Sequence, residues 1–361
     1  MKITLQGEYR IMELNNEFRP ITAITMGDPA GIGPEIVVKT MLDKDLYNEC
    51  KPFIIGSIKI LERAMKVLNV TLNINKIESP SQAKYEYGTM DVLETGDYDC
   101  DSIEYGKIQK LAGQMSIDYI MKSIELGKKG EVHAVSTAPI HKSAIKLVGV
   151  KQAGHTEIYQ DETNSPYALT MFSVHKLRVF FVSRHMSLKD ACDFASKEEV
   201  LSNIQNIDKE LKKLNMKNPL IAVAALNPHG GDNGLFGREE IEQLIPACES
   251  AKELGINVTG PIPADSVFNL GKQGRYDAIL SLYHDQGHIA CKTLDFEKSI
   301  TLTFGLPFIR SSVDHGTAFD IAGKGIAGAV SMIESTKVVS QYAKMMYGNS
   351  EKEGEKVTCQ L

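Results

Sequence analysis

The chain has no tryptophan, no CxxC pair and no apolar run long enough to cross a membrane. Its six cysteines are scattered through segments of ordinary helix and strand composition, which favours reduced, mostly buried thiols in a cytoplasmic protein. The N-terminal segment is too polar to be a secretory signal peptide. A net charge of −6 argues against nucleic acid or an anionic membrane as the main partner, although a local basic pocket could still bind a phosphorylated substrate.

What is present is an alternation of short apolar runs and amphipathic segments over 361 residues. The apolar runs, which we predict to be buried strands, are 21–26, 132–136, 179–183, 221–225 and 278–282. The helices are predicted from 34 past 39, from 109 to 127, over 203–214 and over 239–254. Strands that alternate with helices in this way indicate an α/β fold with a mainly parallel sheet covered on both faces.

Three histidines, His185, His229 and His284, each follow a predicted strand where its apolar run gives way to a polar loop. Ligand sites in parallel sheets form beyond the carboxyl ends of the strands. Three imidazoles that converge there could hold a divalent metal and leave positions open for substrate oxygens. A single histidine near a strand end is more often structural, as we expect for His133 and His175, and for His141.

The first predicted strand leads into GDPAGIGPE, which places Gly31 and Gly33 between a strand and a helix. Glycine lets a ligand approach the backbone, and a helix N-terminus attracts anions. A tight turn without any ligand explains the same residues equally well. The spacing also differs from the G-x-G-x-x-G pattern of a Rossmann dinucleotide site, which disfavours that fold.

Longer motifs are more specific, and they run in order from residue 25 to residue 325: TMGDPAGIGPE, TAPIHK, AGHTE, LNPHGGDNGLFGREE, GPIPAD, YHDQGH and GLPFIRSSVDHGTAFDIAGKG. Together they resemble the 4-hydroxythreonine-4-phosphate dehydrogenase family over nearly all of the chain. The resemblance implies the isocitrate/isopropylmalate dehydrogenase-like fold, with two interleaved α/β lobes and a cleft between them. We predict a cofactor-binding lobe of residues 20–130 plus 270–345, a lobe for metal, substrate and dimerisation at 131–269, a leader at 1–19 and a tail at 346–361.

The segment SSVDHGTAFDIAGKGIA, residues 311–327, resembles the adenosine-binding loop of that fold. The residues expected to bind NAD are Gly31, Gly33, His315, Gly316, Asp320 and Gly323. The Asp320 carboxylate could accept hydrogen bonds from the ribose hydroxyls and would repel a 2′-phosphate, which favours NAD over NADP. Asp320 could instead be a helix cap or a surface charge.

The resemblance assigns His185, His229 and His284 as the metal ligands and implies a homodimer whose two subunits share each metal site. Ligation by imidazoles alone favours zinc, or cobalt or manganese, over magnesium, which prefers oxygen ligands. His288 lies close to His284 in sequence but is not expected to be a ligand.

Substrate contacts carry over to His155 and Thr156 in AGHTE, and to the basic residues Lys292 and Arg310. Lysine and arginine are the side chains that a phosphate or carboxylate requires. The chain departs from the family at Thr301, where asparagine is common; a threonine hydroxyl can still donate a hydrogen bond, but over a shorter reach.

The expected substrate is a four-carbon acid with a hydroxyl at C3 and a phosphate at C4. Hydride would pass from C3 to the nicotinamide, and the resulting β-keto acid would lose carbon dioxide. We predict Lys292 as the residue that transfers the proton, with a purely electrostatic anchor for the substrate as the alternative role.

The residue after YHDQG is the basis for our choice between two substrates. His288 at this position resembles the branch of the family that acts on D-threonate or D-erythronate 4-phosphate, which we favour over the 4-hydroxythreonine-4-phosphate dehydrogenase of pyridoxal phosphate biosynthesis. A phosphate acyltransferase of related fold, or a non-enzymatic sensor of phosphorylated sugar acids, would need neither a nicotinamide loop nor three metal-binding histidines.

Overall fold

The computed structural model describes residues 18–348, in which one sheet of twelve strands is covered by helices. The strands are β1 (Ile21–Thr25), β2 (Lys51–Ile55), β3 (Asn73–Ile77), β4 (Thr89–Leu93), β5 (Ala134–Thr137), β6 (Leu169–Val174), β7 (Leu177–Phe181), β8 (Ile221–Ala224), β9 (Val258–Ile262), β10 (Ala278–Ser281), β11 (Ile300–Phe304) and β12 (Ile309–Ser312). The predicted leader and tail fall mostly on residues 1–17 and 349–361, outside the described residues.

Helices fill most of the connections between the strands, as expected for an α/β fold. They are α1 (Gly33–Met41), α2 (Leu46–Glu49), α3 (Ile58–Leu68), α4 (Lys110–Lys128), α5 (Lys142–Lys146), α6 (His155–Glu162), α7 (Leu188–Phe194), α8 (Lys197–Lys213), α9 (Ile245–Glu253), α10 (Ala264–Lys272), α11 (His284–Leu294) and α12 (Val330–Tyr347). Short 3₁₀ turns lie at Pro80–Gln82 and Cys100–Ser102, and a π-helical turn lies at Glu240–Leu244. Pro228–Gly234 forms a turn in which residues 229–233 have positive φ angles.

The sheet has the strand order β3-β4-β2-β1-β5-β12-β11-β6-β7-β10-β8-β9. Neighbouring strands are parallel in the half from β3 to β12 and in the half from β7 to β9. The pairs β12–β11, β11–β6 and β6–β7 are antiparallel and join the two halves. The strands of the two halves therefore run in opposite directions, and their carboxyl ends lie at opposite edges of the sheet.

Alternating side chains place apolar residues on both faces, because the strands are buried on both sides. On β6, Met171 belongs to an apolar cluster that includes residues of α8, α9 and α12, whereas Phe172 belongs to a cluster on the other face that includes residues of α10 and α11. A third cluster fills the half of β1 and β2 and includes residues of α1, α3 and α4. The lobe limits remain a prediction.

The α/β class and the predicted elements are confirmed, with shifted ends. Helix α8 begins before the predicted residue 203, because the Ser196 hydroxyl accepts a hydrogen bond from the Glu199 N–H at 3.3 Å and caps the helix there. The helix predicted over 239–254 consists of the π-helical turn followed by α9, with Pro246 in the first turn of α9.

Two expectations from composition can be compared with the described residues. Their five cysteines are free thiols, and four of them are buried. No helix within residues 18–348 is both long and apolar enough to cross a membrane.

Candidate active site

The predicted metal ligands lie beyond β7, β8 and β10, the strands that precede them in the chain. His185 and His284 are neighbours, with ring centroids 6.3 Å apart. His229 lies apart in the Pro228–Gly234 turn, with its side chain exposed and its backbone at a φ of 55°. Among the described residues, no three His, Cys, Asp or Glu side chains are close enough to hold a metal ion together. One chain thus brings together two of the three imidazoles.

The donor chemistry of this pair fits a zinc-type cation. The Nδ1–H of His284 donates to the Asp285 carboxylate at 2.6 Å, which leaves Nε2 with a free lone pair for a metal. Large apolar side chains are exposed near each histidine in sequence: Met186 and Leu188, Leu235 and Phe236, and Ile289.

Helix α11 carries His284, His288 and Lys292 at intervals of four residues, so the three side chains lie along one face over about 12 Å. The His288 ring stacks on His284 at a centroid distance of 3.7 Å, and its Nδ1–H donates to the His284 carbonyl at 2.8 Å. Its other neighbours are the rings of Phe172 and Phe181. Burial lowers the pKa of His288 to about 4, so this imidazole is neutral at neutral pH.

Lys292, the predicted proton-transfer residue, forms an ion pair with Asp314. Its ammonium also lies 5.2 Å from the centroid of the Phe296 ring. Asp314 follows β12 and belongs to the 311–327 segment, so this ion pair links the helix that begins with His284 to the predicted cofactor loop. Asp314 was not among the residues predicted for the site, although it lies inside this segment.

The predicted substrate residues His155 and Thr156 are the first two residues of α6, and Arg310 lies on β12. The Arg310 guanidinium lies 5.1 Å from the centroid of the Tyr159 ring, and its Nε is buried without a hydrogen-bond partner. The buried Nε2 of His155 also lacks a partner. Burial, followed by the charge of Arg310, lowers the pKa of His155 well below its usual value. Buried polar atoms are nearly always satisfied, so these two favour a polar ligand.

Thr301 pairs directly with Phe172 on β6 and with Ser312 on β12. Directly paired residues have side chains on the same face of a sheet. Because the Phe172 ring contacts His288 at a centroid distance of 4.1 Å, Thr301 lies on the sheet face that α11 covers.

The predicted cofactor segment is held by helix α1. The buried Glu35 carboxylate accepts hydrogen bonds from the N–H groups of Gly323 and Gly325 at 2.6 and 2.8 Å. The ammonium of Lys39, one turn further along α1, donates to the carbonyls of Gly325 and Ala327 at 3.0 and 2.6 Å. Sequence reasoning missed both residues, although they belong to the helix that follows the glycine turn.

The predicted cofactor glycines serve close backbone contacts within the protein. A Cβ on Gly31 would lie 2.8 Å from Cβ of Thr317, and one on Gly33 would lie 2.3 Å from the Met26 carbonyl oxygen. Gly323 has a φ of 79°, which favours glycine. These contacts support the tight-turn interpretation of the glycines without excluding a ligand beside them.

Three other predicted cofactor residues lie near or at the surface of the same segment. Gly316 and Asp320 are exposed, and His315 is half-buried with its Nδ1 3.0 Å from the Gly316 carbonyl.

The three histidines that were expected to be structural contact other groups of the protein. His133 accepts from the Ile21 N–H, His141 caps α5, and His175 contacts the Asp295 carboxylate.

The family model of the pyridoxal phosphate biosynthetic protein PdxA matches residues 48–339. A protein of Clostridium botulinum (strain Langeland) is 49% identical over 330 residues, which cover 91% of this chain and 98% of that protein. A protein of Fusobacterium nucleatum is 51% identical over 321 residues, with coverage of 89% and 96%. Both bear the name "Putative D-threonate 4-phosphate dehydrogenase".

The crystal structure of a 4-hydroxythreonine-4-phosphate dehydrogenase from Burkholderia phymatum has a TM-score of 0.83 and 39% identity, and the alignment covers 90% of this chain and 98% of that one. The resemblance noted in the sequence is therefore confirmed. The chain belongs to the PdxA family.

Proposed function

We propose that this member of the PdxA family is an NAD- and metal-dependent dehydrogenase that oxidises and decarboxylates a four-carbon, 4-phosphorylated 3-hydroxy acid. The observation that carries the proposal is the single sheet face on which the predicted groups lie. Helix α11 brings His284 and Lys292 to this face, where Thr301 pairs with the Phe172 that packs against α11. The relatives named as dehydrogenases support the reaction class.

D-Threonate or D-erythronate 4-phosphate is the favoured substrate. Two relatives of about half-identical sequence carry the D-threonate 4-phosphate name, and His288 adds a buried polar side chain beside His284. The alternative is 4-hydroxythreonine 4-phosphate, the substrate in the name of the similar crystal structure. We do not propose the acyltransferase or the sensor.

In this proposal the substrate is bound by His155, Thr156, Thr301 and Arg310. Lys292 would exchange its Asp314 partner for the substrate and transfer the proton, or anchor the substrate electrostatically. Zinc, or cobalt or manganese, held by His185, His229 and His284 would supply Lewis acidity for the negative charge that develops on the substrate oxygen. NAD would accept the hydride beside the 311–327 segment, with Gly31, Gly33, His315, Gly316, Asp320 and Gly323 as its contacts.

The working form would be a cytoplasmic homodimer with each metal site shared between subunits. The separation of His229 from the His185–His284 pair supports this arrangement, because the third imidazole would then come from the partner. We also propose the two-lobed isocitrate dehydrogenase-like cleft as the place where substrate and NAD meet.

An assay of NADH formation tests the proposal. The zinc-loaded protein should reduce NAD with D-threonate or D-erythronate 4-phosphate and release carbon dioxide, with a lower kcat/KM on 4-hydroxythreonine 4-phosphate. A higher kcat/KM on the amine substrate would reverse the choice of substrate. The absence of NADH with all three compounds would refute the dehydrogenase.

A further inference from the structure

We propose that Arg184, together with Arg310, forms a paired guanidinium site for the phosphate dianion of the substrate, which makes Arg184 a specificity-determining residue. This inference rests on the proposed function for the identity of the substrate, but the anion site follows from the geometry alone. Arg184 lies between β7 and α7, next to His185, and belongs to none of the motifs that predicted the site.

The geometry begins with a row of paired residues across three strands. Thr303 on β11 pairs with Arg310 on β12 on one side and with Thr170 on β6 on the other. All three side chains therefore lie on the same face of the sheet. The Arg310 Nη1 donates to the Thr303 hydroxyl at 3.1 Å, and the Arg184 Nη1 donates to the Thr170 hydroxyl. The two guanidiniums thus lie over adjacent strands.

The charge of this pair is not neutralised by direct contact. The hydrogen bonds of both guanidiniums go to threonine hydroxyls, including one from Arg310 Nη2 to Thr137 at 2.8 Å. No carboxylate of residues 18–348 forms an ion pair with either side chain. Arg310 is only 2% exposed, and its Nε has no partner. Two neighbouring guanidinium cations that are shielded from water repel each other unless an anion binds between them.

Further groups around the pair also favour an anion. Helix α6 begins at His155 with no side-chain cap, so the N–H groups of its first turn remain available. Glu157 is the acidic side chain whose charge raises the pKa of both arginines, against the larger lowering effect of burial. Because the single carboxylate of Glu157 cannot balance the two guanidiniums, the site keeps a net positive charge.

A phosphate fits this arrangement better than the carboxylate of the same substrate. A phosphate dianion matches the charge of two guanidiniums and offers three oxygens to their forked N–H groups. A carboxylate would neutralise one arginine and leave the other buried with its charge. The 4-phosphate would then lie over Thr303 and Thr170, leaving the other end of the substrate for His284 and Lys292.

Calorimetric titration of the full-length, zinc-loaded protein without NAD tests the site directly. Arg184→Met should weaken the binding of D-threonate 4-phosphate and of inorganic phosphate by about 10- to 100-fold, since each charged hydrogen bond is strong when desolvated. Binding of unphosphorylated D-threonate should change by less than about threefold. Arg184→Lys should recover part of the phosphate affinity. Arg275→Met, on an exposed arginine after α10, is the matched control and should bind like the wild type.

Equal loss for D-threonate and its 4-phosphate, or unchanged phosphate binding, would overturn the proposal. If Arg184→Met lowers the melting temperature too far for titration, Thr170→Val removes the hydroxyl that holds Arg184 and keeps the charge. That variant should bind phosphate several-fold more weakly, and unchanged binding in both Thr170→Val and Arg184→Lys would refute the site. A wild type that binds phosphate through Arg184 but forms no NADH would refute the dehydrogenase while leaving the anion site intact.

Discussion

The 311–327 segment and the turns that carry the histidines are organised in different ways. The 311–327 segment is held within the same chain by the buried Glu35 carboxylate and the half-buried Lys39 ammonium. The histidine turns are open: His185 and His229 are exposed, and Leu235, close to His229, is 72% exposed. Internal hydrogen bonds organise the first region within one chain, whereas the exposed histidines, as predicted ligands, leave room for the completion by a second chain that we propose.

The largest expected effect is the loss of activity when a predicted metal ligand is replaced. It tests whether the histidine site is completed by a second chain or within one chain. His229→Ala and His284→Ala should each lose metal and reduce kcat on the order of 1000-fold, because a metal supplies several kcal/mol of charge stabilisation. Co-refolding the two variants should restore about a quarter of wild-type activity, since random pairing makes half of the dimers mixed and each mixed dimer has one intact site. Metal content and NADH formation are the measurements. Each variant refolded alone is the control, and no recovery in the mixture would place all three ligands in one chain.

Glu35→Gln tests whether the α1 contacts serve the cofactor. Glutamine offers one acceptor and one donor to two N–H groups, so one of them loses its partner. We expect the KM for NAD to rise by about 10-fold or more while the KM for the phosphorylated acid stays unchanged. Glu62→Gln, on the exposed face of α3, is the matched control. If both KM values rise together, the segment does not bind NAD selectively.

Asp28 in the glycine turn gives a stability test of the same region. Burial raises the pKa of this carboxyl from 3.8 to about 6, and its Oδ2 has no partner. The folded state therefore binds more protons than the unfolded state between these values, and stability falls as the pH rises through that window. Asp28→Asn should remove roughly 1 to 3 kcal/mol of the difference in unfolding free energy between pH 4 and pH 7.5. Chemical denaturation at both pH values measures this difference in unfolding free energy, and Asp193→Asn, at an exposed position, is the control. If Asp28→Asn leaves the difference unchanged, the raised pKa of Asp28 is contradicted.

The smallest expected effect concerns Asp320 at the surface of the cofactor segment. Because its carboxylate would repel a 2′-phosphate, Asp320→Ala should lower the preference for NAD over NADP by about 10-fold. The ratio of kcat/KM for the two cofactors measures this preference. An unchanged ratio would favour the alternative role of a surface charge.

Much of the fold was predictable from local patterns. Apolar runs such as 221–225 and 278–282 lie on strands, and alternation with helices gave the α/β class. The antiparallel strands β6, β11 and β12 were not predicted, because short strands joined by turns lack the helix between them that marks a parallel connection. The capping of α8 by Ser196 was readable from the spacing of a serine and a glutamate but was missed.

The candidate site was predictable residue by residue only where motifs carry it. His155, His284, Lys292 and Arg310 came from such motifs, and the structure adds their partners. Asp314 lies inside the 311–327 motif but, like Arg184, was assigned no role, because the partner of each side chain is more than ten residues away in the chain.

The sequence by itself determined the class of fold, the family and the set of ionisable groups, because strand and helix periodicity and short motifs are local properties of a chain. Only the tertiary structure decided which of these groups face one another. The pairing of β12 with β11 and of β11 with β6 places Arg310 and Arg184 over adjacent threonines. The pairing of β11 with β6 joins strands that are distant in the chain, and no local pattern specifies that these two strands meet.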